Sequence, residues 1–153
     1  MSEYQCYEFL AIDAPLSAKQ QGELRAISTR AEISSTRFWN EYQWGDLKAD
    51  PKALLLKYFD AHAYAANWGS RVVMFRVPAT SIDRTRLKPY FSGFGATLKS
   101  TGKHLILEFW ADEEEPDFDD SALGSALSEF TPIRQQLLQG DLRAAYLGWL
   151  AGV

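Results

Sequence analysis

A chain of 153 residues with 46% hydrophobic and 24% charged residues matches an ordinary globular domain, which excludes global disorder. Seven of the 20 acidic residues fall between Asp112 and Asp120, so the rest of the chain, 16 Lys and Arg against 13 Asp and Glu, is nearly neutral despite a net charge of −4. Neither a strong nucleic-acid footprint nor a uniformly acidic body is implied. The one cysteine, Cys6, allows no internal disulfide and no cysteine-based zinc site. The start Met1-Ser2-Glu3-Tyr4 lacks the basic and apolar parts of a signal peptide, and no apolar run reaches the roughly 20 residues of a membrane span. A soluble, cytoplasmic protein is the expectation.

In chain order, Tyr4 to Asp13 is apolar on both alternating faces, as a buried strand would be, and Pro15 ends it. Ser17-Ala18-Lys19-Gln20 reads as a capping box opening a short helix with Leu24 and Ile27 inward, weakened by Gly22. Ile33 to Tyr42 predicts a second extended stretch. Asp50-Pro51 combines a favoured N-cap with proline at the first helical position, and Leu54, Leu55, Tyr58 and Phe59 then repeat along one helical face.

His62 to Trp68 and Arg71 to Val77 predict a hairpin turning at Gly69-Ser70. Arg71 and Arg76 flank that second strand as edge charges would. Ile82 to Lys88 predicts a short helix stopped by Pro89. Thr97 to Ser100 and His104 to Ala111 predict another hairpin across Thr101-Gly102-Lys103, with Leu105, Leu107 and Phe109 on its buried face. A solvated acidic loop follows. Thr131-Pro132 opens a first terminal helix, Gly140 stops it, and Asp141 caps a second whose apolar face carries Leu142, Tyr146, Trp149 and Leu150.

The predicted fold is α+β: one domain over residues 1–153, with a mixed, largely antiparallel sheet of about five or six strands, packed helices and a C-terminal helical pair. The apolar end Leu150-Ala151-Gly152-Val153 suggests a natural chain that continues further, since termini are usually polar.

No phosphate loop, dinucleotide fingerprint or nucleophile elbow is present, and Ser92-Gly93-Phe94-Gly95 reads as a turn. His62 and His104 lack metal-ligand spacing, and Cys6, mid-strand, reads as an inert core thiol. No catalytic residue, metal ligand or cofactor is assigned. The most unusual stretch is Phe38 to Asp46, in which rings alternate with Asn40, Glu41 and Asp46. Rings supply contact area and carboxylates supply orientation, so Asn40, Glu41, Tyr42, Trp44 and Asp46 are candidate binding residues. The same stretch also suits a strand end that packs its rings inward. Asn67 and Trp68 share this character, and Arg71 joins them as a possible anion contact.

Tyr7 to Asp13, Glu23 to Ala31, Asn40 to Asp46, Tyr58 to Ala61 with Ala66 to Gly69, His104 to Phe109 and Gly140 to Leu150 together resemble a conserved bacterial family of unknown function. Leu47 and Ala49 stand where similar proteins carry Phe and Gly. No activity or cofactor is established for that family, so the resemblance implies none. The expected function is a non-enzymatic protein-interaction or scaffold domain, acting through a protein partner or self-association. The rivals are a small-molecule-binding protein or small enzyme using the acids of Asn40–Asp46, joined by Asp60 and His62, and a nucleic-acid accessory, which is not favoured.

Overall fold

The computed structural model describes residues 5–42, 47–66, 70–80, 84–91, 96–112 and 134–139. Among these residues, alternating and doubly apolar segments build seven strands: β1 (Gln5–Leu10), β2 (Glu32–Ile33), β3 (Arg37–Tyr42), β4 (Ala61–Ala66), β5 (Ser70–Pro78), β6 (Ala96–Thr101) and β7 (His104–Asp112). They form one sheet in the order β2-β3-β1-β4-β5-β7-β6, and every pairing is antiparallel. The expected α+β class and antiparallel sheet hold. The count of about five or six strands was too low, because Ile33 to Tyr42 is not one extended stretch. Ser34 to Thr36 turn the chain between β2 and β3, with the Ser34 amide donating to the Arg37 carbonyl at 2.8 Å.

α1 (Ala18–Ile27) starts as predicted. The Ser17 hydroxyl accepts from the Gln20 amide, and the Gln20 side chain accepts from the Ser17 amide at 2.8 Å. α2 (Pro51–Tyr58) has Asp50 as N-cap, its carboxylate accepting from the Lys52 amide at 3.1 Å. The short α-helix ends before Pro89 as expected, but the chain stays helical. α3 (Arg84–Leu87) passes into a 3-10 turn, Lys88–Phe91, that includes Pro89. This is tolerated because a turn's early residues need no amide donor.

Register sorts the sheet into two faces. Tyr7, Phe9, Phe38, Asn40, Tyr42, His62, Tyr64, Met74 and Ile106 share one face. Leu24 of α1 and Leu54, Leu55 and Tyr58 of α2 join its buried cluster. Phe9 sits at its centre, its ring 4.0 Å from the His62 ring and 5.1 Å from Phe59. The opposite face carries Ala61, Ala63, Phe75, Val77, Leu105 and Leu107, packed with Leu137. Leu137 belongs to a helical turn over residues 134–138, inside the first predicted terminal helix. The second terminal helix, the acidic loop beyond Asp112 and the Ser92–Gly95 turn lie outside the described residues.

Arg71 and Arg76 are not on an edge strand. β5 lies between β4 and β7, and β2 and β6 form the edges. The edge reading fails because β5 hydrogen-bonds to β4 along one side and to β7 along the other, leaving neither of its backbone edges open.

Candidate functional site

The titratable groups named for acid–base work have structural employment. Asp60, just before β4, is 2% exposed. One carboxylate oxygen accepts from the Ile12 and Asp13 amides at 2.6 and 2.9 Å, and the other meets the Arg76 guanidinium at 2.9 Å. Burial pushes its pKa up, but the Asp13 amide, the Arg76 guanidinium and the Ile12 amide outweigh burial and hold it below the usual value. Arg134, 2% exposed, grips Asp13 with both terminal nitrogens at 3.1 and 2.8 Å and donates from Nε to the Arg76 carbonyl. Two acids and two arginines thus form a charge-balanced knot, open to solvent chiefly at Asp13.

His62 is buried, and desolvation drives its pKa down to about 4. It is therefore neutral at pH 7. Its Nδ1 lies 2.9 Å from the Glu8 carbonyl, which can only accept, so Nδ1 carries the proton. Cys6 on β1 is likewise buried. Desolvation lifts its thiol to about 12, the adjacent Trp39 indole opposing, as expected for an inert core thiol.

Open space lies elsewhere, at the β2–β3 edge. β2 pairs only with Phe38 and Trp39, and the chain preceding it swings away from β3 into the turn that ends α1. That turn is held by the Arg25 guanidinium, which donates to the Thr29 and Ala31 carbonyls at 2.9 and 2.6 Å. The divergence leaves a groove of about 690 Å³ between residues 26–30 on one side and residues 39–42 of β3 on the other, with Glu32 and Lys48 also lining it.

Asn40, Glu41 and Tyr42 all line this groove, so three of the candidate binding residues converge there. Asn40 and Ser28 are each 6% exposed and form its polar floor. The Asn40 amide nitrogen donates to the Ser28 hydroxyl, and that hydroxyl shares a hydrogen bond with the Tyr42 phenol at 3.2 Å. The Tyr42 ring stands edge-on to Tyr7 at 5.7 Å, which fixes its tilt. Arg30, Glu32, Glu41 and Lys48 are exposed charges around the groove. Trp39 also lines it, while its ring lies beneath the Arg37 guanidinium, 5.7 Å from ring centre to Cζ.

Arg71 is not part of this groove. It shares a row and face with Glu41 through Cys6 and Ala65, but three strand spacings, about 14 Å, separate them. Trp44, Asp46, Asn67 and Trp68 lie outside the described residues. Ser28, Thr29 and Lys48 escaped the sequence reading. Ser28 is the C-cap of α1, a position that carries no ligand signature, and only the β2–β3 turn folds it back against Asn40.

This arrangement can bind through hydroxyl, amide, aromatic and charged groups, and it offers no paired nucleophile and base among the described residues. Those residues also contain no group of three or more His, Cys, Asp or Glu placed to hold a metal ion. No helix among them is long and apolar enough to cross a membrane. No protein-family model, curated protein or solved structure matches the chain.

Proposed function

We propose that this chain is a non-enzymatic protein-interaction or scaffold domain of a bacterial cytosolic protein, with the α1–β3 groove as its contact surface. The observation that carries the reading is the convergence of Asn40, Glu41 and Tyr42 on one open groove beside the sheet edge. Two further facts support it. Asp60 and His62, the residues an acid–base enzyme would have drawn on, are committed to an ion-pair knot and an aromatic stack. Of the arginines that a nucleic-acid accessory would line up on one face, Arg30, Arg37, Arg71, Arg76, Arg84 and Arg86, two are already paired, Arg37 with Glu8 and Arg76 with Asp60. The bacterial and cytosolic parts rest on the family resemblance and on the lone buried cysteine.

Light scattering with size-exclusion chromatography, alongside capture from the native host, tests the reading. The expected result is self-association or a stoichiometric partner, lost when Thr29→Trp fills the groove. A strict monomer that captures nothing would refute it. A small-molecule receptor is the second reading, favoured by a groove volume within the range of ligand sites. It predicts a metabolite copurifying with the wild-type chain and absent from Thr29→Trp.

A further inference from the structure

The donors on the groove floor outnumber the hydrogen bonds they make among the described residues. The Ser28 and Tyr42 hydroxyls carry two protons and share one hydrogen bond, and the Asn40 amide donates into Ser28 rather than accepting from it. One hydroxyl proton is therefore left over at the floor, whichever way the pair is oriented. At the rim, Arg30 and Lys48 are exposed, and neither has an ion-pair partner among the described residues. The carboxylates are placed differently. Glu32 is paired with Arg37 at 3.3 Å, and Glu41, which also lines the groove, stands in the other side-chain row of β3 from Asn40 and Tyr42. Surplus donors, and cations with no ion-pair partner among the described residues, call for an acceptor of negative charge.

We propose that the groove takes an acidic peptide segment, one carboxylate meeting the Ser28–Tyr42 hydroxyl pair and its neighbours meeting Arg30 and Lys48. A peptide suits the site better than a small ion. A volume of about 690 Å³ admits several residues, far more than one small anion fills. This inference rests on the protein-interaction reading and specifies the chemistry of the partner.

Titration calorimetry of the full chain with hexaglutamate, hexalysine and inorganic phosphate is the test. Hexaglutamate is expected to bind and to weaken as salt rises from about 50 to about 300 mM. The double variant Arg30→Gln/Lys48→Gln, exposed and therefore free to fold, should lose roughly tenfold in affinity. Tyr42→Phe, which keeps the ring against Tyr7, should lose severalfold by removing the phenol proton. Glu41→Gln should tighten binding by relieving repulsion.

Unchanged affinity in the double variant, or tighter binding of hexalysine, would overturn the proposal. So would phosphate binding as tightly as hexaglutamate with the same sensitivity to the variants, which would mark a free-anion site. A native partner captured equally by wild type and the double variant would sink this inference while leaving the protein-interaction reading standing.

Discussion

Two buried titratable residues make the protein sensitive to acid in separate windows. His62 has its folded pKa depressed from 6.5 to about 4, so between those values the unfolded chain binds a proton that the folded chain refuses. Stability contributed by the neutral imidazole is whole above pH 6.5 and falls by up to about 3 kcal/mol by pH 4. Urea midpoints measured across that range should slope downward in wild type and much less in His62→Phe, which preserves the stack on Phe9. Equal slopes would contradict a buried neutral histidine. Asp60 acts lower down. Its folded pKa is held below the ordinary carboxylate value, so its contribution is present at neutral pH and is lost only as pH falls through that depressed value. Asp60→Asn removes the charge facing Arg76 and Arg134 and should cost about 3–5 kcal/mol at pH 7, read from chemical denaturation. A loss below about 1 kcal/mol would mean the knot is solvated, as surface pairs are.

Local chemistry decides where each element begins and ends. α1 opens with a full capping box, yet Gly22 sits exposed in its middle, where a Cβ would meet nothing within 4 Å. Gly22→Ala therefore changes only backbone freedom and should stabilise the protein by about 0.5–1 kcal/mol. A destabilised Gly22→Ala chain, by thermal or urea unfolding, would show that residue 22 has a contact the geometry lacks. Gly102 plays the opposite part. Its φ is +59° and the next residue, Lys103, has negative φ, the pattern of a hairpin turn that demands glycine first. The β6–β7 register, Thr101 opposite His104, follows from that turn.

At the scale of the whole molecule, the sheet is buried on both faces by segments far apart in sequence. Helices α1 and α2 cover one face, and the turn at residues 134–138 covers part of the other through Leu137. Arg134 joins this cover to the start of the chain, reaching Asp13 across 121 positions. Leu137 is fully buried, so Leu137→Ala should lower stability by about 2–5 kcal/mol. Because one sheet connects both clusters, the loss should shift a shared unfolding transition seen equally by tryptophan fluorescence and far-UV circular dichroism. Two separated transitions would show that the faces melt independently.

Much of this was legible locally. Capping residues, Pro51, the alternating strands and Gly102 act within a few positions, so the amino-acid order alone determined α1, α2, the two later hairpins and the burial of Cys6. Asn40, Glu41 and Tyr42 could be singled out for the same reason, by composition within one short stretch. The tertiary structure alone decided that β5 is interior, that Asp60 closes a knot with Arg76 and Arg134, and that Ser28 and Lys48 complete the groove with β3. Those outcomes depend on which strands become neighbours and on where the chain leaves an edge. Both are settled by packing the two faces of the sheet at once, which no short window of sequence encodes.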